Sequence, residues 1–532
     1  MAFAADSSPA APTAHGVHSV DPTKAGASTF NTFTSPAAKS VRTASGSKQS
    51  LTAGETASLA AGLTAKHTSA YGISLAVNVT GVNTTANATI NWGDGSAPQS
   101  TGYLPAGQTT LAHTYAKLGA YTITVNVADQ DGVTTATNTL VVTTAGSAYT
   151  AYGPTRLLDT RNGTGAPQGQ IQPFTSTRVQ IAGNGGIPAG VTAVVLNLTV
   201  TNAAGPGFIT AYGEGDQRPI TSNVNFVAGQ TVPNLSIVPV GANGYVDLYN
   251  GSGKPTDLIA DVAGYFTQSD SSGFTPTGPT RLVDTREGLG TARGQVAGGG
   301  SFAVQINGNG TAGLPGSGIT AVALNVTVTN PKNAGFLNVY PDGQSVPTAS
   351  SLNFTAGQTI ANSVVVPVGS NGKIRIRNGA GLPADVIVDI VGYYSPAAKG
   401  AYLPIAPERL LDTRDPKTWS YGPLSSGSYA YMPLSYDEPA ISGFVFNATV
   451  TNTATAGFLS VGPDPNSVDA YKNGTDVWPA RPTASALNWV KGQTVPNLVQ
   501  ANTGANGIID FWNASGGNTD LIVDMFGYYD TH

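Results

Sequence analysis

The sequence states one pattern three times, at domain length. Arg156-Leu-Leu-Asp-Thr-Arg161 returns as Arg281-Leu-Val-Asp-Thr-Arg286 and as Arg409-Leu-Leu-Asp-Thr-Arg414. Each copy closes on a second phrase: Asp261-Val-Ala-Gly-Tyr-Phe266, Asp389-Ile-Val-Gly-Tyr-Tyr394 and Asp524-Met-Phe-Gly-Tyr-Tyr529. The spacing exceeds the ~20–50 residues of solenoid and propeller units and matches a whole domain. Repetition on that scale favours binding, spacing or assembly over a single catalytic centre.

The 66 glycines and 35 prolines call for many turns and so for β architecture. Between the turns, apolar and polar residues alternate. In Val191–Asn202 one face is Val194, Leu196, Leu198 and Val200, and the other is Ala193, Val195, Asn197, Thr199 and Thr201. Repeat 2 keeps the first face as Val322, Leu324, Val326 and Val328, and repeat 3 as Phe444, Phe446, Ala448 and Val450. A period of two over this length is a strand signal. The chain is predicted to be all-β, a series of tandem β-sandwich domains: a sandwich at 49–146, then jelly-roll or sandwich repeats at 150–268, 275–396 and 401–530. Residues 1–48, rich in Ala, Ser, Thr and Pro, bury too little to offset their ordering entropy and are expected to form a disordered arm.

Only 10% of residues are charged, against about 25% in ordinary soluble domains, and the net charge is −5. That balance excludes a basic nucleic-acid binder. With no cysteine, disulfides and thiolate metal sites are excluded. Ala2-Phe3-Ala4 has the form of a signal-peptidase site, which reads as a trimmed export signal and a secreted or extracellular, cell-wall-associated protein. No apolar run reaches the length of a transmembrane helix.

Two resemblances extend this reading. Trp92-Gly-Asp-Gly-Ser96, with His113-Thr-Tyr115, Gly119-Ala-Tyr121 and Val127–Gly132, resembles the polycystic-kidney-disease (PKD) domain, which implies an immunoglobulin-like sandwich. The repeats carry Arg-Leu-Leu-Asp-Thr-Arg, Asn-x-Thr-Val-Thr-Asn, Gly-Gln-Thr-x-x-Asn and Asp-x-x-Gly-Tyr-Tyr. They resemble a module of secreted actinobacterial proteins, which implies attachment or adhesion.

The recurring charges are Arg156, Asp159, Arg161 and Asp261, then Arg281, Asp284, Arg286 and Asp389, then Arg409, Asp412, Arg414 and Asp524. They read either as paired-carboxylate hydrolase sites or as structural ion pairs tying the first strand to the last. Equal numbers of arginine and aspartate favour the pairs. Arg161, Arg286 and Arg414 are each expected to meet the aspartate two residues earlier or the closing one. The recurring amides Asn197, Asn202, Asn225, Gln230 and Asn234 read as turn and strand-edge caps, with sugar recognition the alternative. The repeats hold no histidine before the terminal His532, so no catalytic triad or zinc site is expected in them. His113 reads as a packed strand residue. Asp129 and Asp131 read as a turn. Ca²⁺ is the alternative there, but it wants six to eight oxygens. No other cofactor is expected.

Repeat 3 departs from its siblings, with four of the five tryptophans and an insertion at 464–484. Trp419, Tyr421, Trp478 and Tyr471 are the candidate ligand-binding residues. Two functions follow. One is a non-catalytic surface or adhesion protein that binds a glycan or cell-wall polymer, with a polysaccharide or a surface protein as partner. The other is a structural or assembly component, a spacer, fibre or scaffold subunit that self-associates.

Overall fold

Alternating strands pair into antiparallel sheets throughout. The computed structural model describes residues 31–39, 41–44, 47–49, 59–81, 85–130, 132 and 134–532. They fall into two compact units, one holding the N-terminal sandwich and the other all three repeats.

In the first unit the strands are β1 (Thr32–Lys39), β2 (Val41–Ala44), β3 (Ser47–Gln49), β4 (Ala60–His67), β5 (Gly72–Thr80), β6 (Ala86–Asn91), β7 (Gln99–Leu104), β8 (Gly107–Thr114), β9 (Ala120–Asp129) and β10 (Thr134–Thr143). One sheet runs β1-β4-β5-β8 and the other β3-β2-β10-β9-β6-β7. Leu63, Ile73, Leu75, Ile90, Trp92, Ile123 and Val125 fill the space between them. The order β4-β5-β8 against β10-β9-β6-β7 is that of an immunoglobulin-like sandwich.

Within the arm expected up to residue 48, Thr32–Lys39, Val41–Ala44 and Ser47–Gln49 are strand instead. β1 pairs with β4, and its backbone is also held by a side chain: Asn138 Nδ2 donates to Pro36 O at 2.8 Å. Phe33 meets His67 edge-on. Composition understated this segment because its order comes from pairing along a sheet edge rather than from apolar burial. Residues 1–30 lie outside the described residues.

Repeat 1 consists of β11 (Ala148–Asp159), β12 (Ser176–Gln180), β13 (Val191–Thr201), β14 (Gly207–Gly213), β15 (Val224–Phe226), β16 (Val232–Pro239), β17 (Tyr245–Asn250) and β18 (Asp257–Thr267). Its sheets run β11-β18-β13-β16 and β12-β17-β14-β15. Counted from the first strand of the repeat, that order is 1-8-3-6 against 2-7-4-5, the two interlocked Greek keys of a jelly roll. Repeats 2 and 3 have the same order, from Gly273 to Ser395 and from Ala401 to Asp530. Among the described residues the one helix is α1 (Val468–Asn473), capped by Ser467 and stopped at left-handed Gly474.

The middle strand shows how the repeats meet. Val194, Leu196, Leu198 and Val200 of β13 fill the core of their own jelly roll. Ala193 and Val195, on the other face, belong to a second core shared with Ala321, Ala323, Val365, Val445 and Leu498 of the other repeats. Aromatic residues order this shared core cyclically. Tyr149 of repeat 1 stacks on Tyr394 of repeat 2 at 4.1 Å. Phe274 of repeat 2 stacks on Tyr529 of repeat 3 at 4.2 Å. Tyr402 of repeat 3 meets Phe266 of repeat 1 at 4.7 Å.

The glycine of each closing phrase makes room for these rings. A Cβ on Gly264 would lie 2.2 Å from the Tyr149 ring, one on Gly392 2.2 Å from Phe274, and one on Gly527 2.5 Å from the Tyr402 hydroxyl.

The recurring asparagines obey the same rotation. Asn362 donates to Asn197 Oδ1 (3.1 Å), Asn497 to Asn325 Oδ1 (3.1 Å) and Asn234 to Asn447 Oδ1 (3.0 Å). The acceptor amides donate back across each interface, to the Ser350, Ser485 and Ser222 carbonyls. The donor amides also accept across it, from the backbone N–H groups of Leu235, Ser363 and Leu498. These amides, expected as local caps or sugar ligands, thus lock repeat to repeat. All six are at most 7% exposed. The interface is heterologous and closes after three steps. One chain forms a ring with pseudo-threefold symmetry.

Candidate functional site

In every repeat the opening arginine takes the closing aspartate. Arg156 donates through Nε to Asp261 Oδ1 (2.9 Å) and through Nη2 to Asp261 Oδ2 (3.2 Å). Arg281 holds Asp389 and Arg409 holds Asp524 in the same two-pronged way. The second arginine takes the aspartate two residues earlier, with Nη2–Oδ2 distances of 2.7 Å for Arg161–Asp159, 2.6 Å for Arg286–Asp284 and 2.7 Å for Arg414–Asp412.

The two kinds of carboxylate titrate in opposite directions. Hydrogen bonds from the second arginines hold Asp159, Asp284 and Asp412 below the usual carboxylate range, in spite of their burial. Burial pushes Asp261, Asp389 and Asp524 up, further than the opening arginines pull them down. An arginine neighbour therefore does not by itself guarantee a lowered pKa, because desolvation acts first. With every carboxylate engaged by arginine, this constellation is a tie between the first strand and the last.

In the N-terminal sandwich, His113 stacks on Trp92 at 4.6 Å, and its Nε2 lies 2.8 Å from Asp94 Oδ2. Burial pushes Asp94 up, but hydrogen bonds from Ser96 and His113 prevail and hold it at about 2. His113 is a packed strand residue here. Asp129 Oδ1 accepts from the Thr134 N–H, as a turn residue does. Asp131 lies outside the described residues, and among those described no cluster of metal-ligating side chains forms.

The four aromatic candidates of repeat 3 separate into two groups. Trp419 is buried, meets Tyr421 edge-on at 5.2 Å, and its Nε1 donates to Gly422 O at 2.9 Å. It is loop packing rather than a contact surface, which corrects the expectation that it stands with Trp478. Tyr421 is exposed beside it.

Trp478 is 46% exposed and stands edge-on to Tyr429 (5.1 Å) and Trp512 (5.7 Å). Those two rings stack on each other at 4.4 Å. Tyr471, on α1, stacks on Tyr431 at 3.9 Å, and its hydroxyl donates to Asp464. Tyr429, Tyr431 and Trp512 come from neighbouring strands, Tyr429–Pro433 and Ile508–Ser515. The inserted segment thus lays Tyr471 and Trp478 over an aromatic sheet face, and Trp478 remains the open edge.

Beneath it is a carboxyl pair that the sequence reading did not single out. Asp464 and Asp510 are each 2% exposed. Burial and the adjacent Asp464 push Asp510 up to about 10, so the pair holds a proton at neutral pH. The corresponding positions are Glu214 and Asp247 in repeat 1, with Arg178 3.6 Å from Glu214, and Asp342 and Arg375 in repeat 2, bonded at 2.5 Å. Aligning the repeats column by column exposes the anomaly: repeat 1 also carries two acids but keeps Arg178 beside them, repeat 2 has Arg375 itself, and in repeat 3 Tyr431 stands at the position of Arg178.

An acid whose pKa is raised on folding stabilises fully below its unfolded value near 4 and loses that contribution as pH rises toward 10. Asp510→Asn keeps the neutral shape without the proton. It is therefore expected to raise the melting temperature at pH 8 and to leave it nearly unchanged at pH 4. Melting curves at the two pH values check this, and an equal shift at both would contradict it.

No family model matches the sequence, and no curated relative does. Solved structures with similarity include a protein of Sulfolobus turreted icosahedral virus (10% identity, covering 78% of this chain and 91% of that one, TM-score 0.17). Another is the N-terminal CBM22-1–CBM22-2 tandem domain of Paenibacillus barcinonensis Xyn10C (12% identity, 46% and 100%, TM-score 0.15). A third is a carbohydrate-binding module of the β-sandwich superfamily (13% identity, 61% and 90%, TM-score 0.12). At these scores the likenesses carry no functional weight. The class of the chain, tandem all-β sandwiches, stands on its own strand order. No helix among the described residues is long and apolar enough to cross a membrane.

Proposed function

We propose that this is a secreted, non-catalytic surface protein. The ring of repeats is a rigid carrier, and the Trp478 face of repeat 3 binds a glycan or cell-wall polymer. What carries the reading is the contrast between shared and unshared residues. Most of the shared residues are consumed internally: the arginines and aspartates in ties, the asparagines in interlocks, the closing aromatics in the shared core. What distinguishes one repeat lies on its outer sheet, and only repeat 3 builds an aromatic platform there with a half-exposed tryptophan.

Aromatic faces suit the apolar faces of sugar rings, and a rigid scaffold beneath loop residues is the usual setting for binding. The buried Asp464–Asp510 pair does not argue for hydrolysis, since a general acid must come within hydrogen-bond reach of its substrate. The PKD-like motifs fit a surface protein. Trp478→Ala is expected to leave melting nearly unchanged and to weaken retention on a cell-wall polysaccharide by ~2 kcal/mol or more, a hot-spot-sized loss. Full retention by the variant in a pull-down would refute the site. Retention of a protein partner and of no polysaccharide would favour the scaffold reading.

A further inference from the structure

A second, chemically different recess lies where the three jelly rolls converge. It has a volume of about 350 Å³ and is lined by all three repeats, among them Phe208, Phe226, Gln230, Gln358, Ile360 and Gln493. That is at the small end of ligand pockets, which run ~300–1,000 Å³. No charged side chain lines it.

The three glutamines occupy one position of the ring. Each follows a glycine of the same left-handed conformation, Gly229 (φ 72°), Gly357 (φ 72°) and Gly492 (φ 76°). Each fixes its amide in the same way: Oε1 accepts from the backbone N–H three residues earlier, Val227 (3.1 Å), Thr355 (2.9 Å) and Val490 (2.9 Å). The carbonyl end is therefore held by the backbone, and the N–H₂ end of each amide is left to donate. An uncharged recess with three held donors and an apolar, partly aromatic wall is matched to an uncharged ligand that offers several acceptors and one apolar face. An anion would find no countercharge, and a hydrocarbon would strip water from the amides without replacing its hydrogen bonds.

We propose that this axial recess binds a neutral saccharide, its hydroxyl or acetamido oxygens accepting from Gln230, Gln358 and Gln493. The site exists only in the closed ring, since no single repeat supplies more than one of the three amides. It is separate from the Trp478 face and stands or falls independently of it.

Saturation-transfer NMR on the full chain, with neutral glucose and N-acetylglucosamine trisaccharides and a galacturonic acid trisaccharide as charged control, tests this. The expected result is binding of at least one neutral probe and none of the acid. Gln358→Glu preserves the Oε1 bond and removes the donor. It should weaken that binding at least tenfold with an unchanged melting temperature, while Trp478→Ala leaves it within twofold. Should Gln358→Glu unfold the ring, Gln493→Glu gives the same reading. Unchanged binding in a folded glutamate variant, loss in Trp478→Ala alone, equal binding of the acid, or no binding of any neutral probe would each overturn the proposal.

Discussion

Arg281→Ala lowers the stability of the repeat unit by ~3–5 kcal/mol at pH 7, the usual cost of orphaning one partner of a buried ion pair. Asp389 is fully buried, and both of its oxygens depend on Arg281. Already pushed up by burial, the carboxyl moves further up once the arginine is gone and must take up a proton on folding. The deficit is therefore small below pH 4, where the unfolded chain is protonated as well, and grows as pH rises. Urea titrations at pH 4 and pH 7.5 check both the size and the slope. A loss under 1 kcal/mol at pH 7.5 would mean that water reaches Asp389.

The second large effect is expected at Asn362→Leu, which keeps the volume and removes the amide. Asn362 donates to Asn197 Oδ1 and to Ser351 O and accepts from the Leu235 N–H, and it is 1% exposed. Substitution strands buried groups in two different repeats. Each unsatisfied buried group costs ~1–3 kcal/mol, so a loss of ~3 kcal/mol or more is expected. Asn202→Gly, which suits the left-handed backbone there (φ 50°), breaks one side-chain bond, to Asp257 within repeat 1, and should cost clearly less. Equal losses at the two sites would show that crossing between repeats adds nothing.

These sites mark how far the sequence could be read. Period-two strands, turn density and the four recurring phrases made the sandwich repeats legible, and matched numbers of arginine and aspartate made the ties legible. The ring was not. Asn197 and Asn234 look like capping residues because a sequence shows an amide's type and not its partner, which here lies in another repeat. A signal was present nevertheless. The second face of the middle strand, Ala193, Val195 and Asn197, carries no charge in any repeat, as a doubly buried strand requires.

In the candidate site, Trp478 and Tyr471 stood out as unshared aromatics, and Trp512 was missed as their floor because it takes the place of Tyr249, an ordinary strand residue. Trp419 misled because a loop tryptophan with no counterpart looks the same whether it is exposed or folded under its own turn. The extent of the arm, to residue 48, was misread for a related reason: β1 gains order from an edge pairing, which composition does not record.

The central claim is that the three repeats form one closed body rather than beads on a string. Hydrogen exchange of the full chain carrying Arg281→Ala, followed separately in each repeat, tests it most directly. The ring predicts that the protected core amides of repeats 1 and 3, such as those of Leu196 and Phe446, lose protection together with those of repeat 2. Loss confined to residues 273–395, with full protection elsewhere, would contradict it.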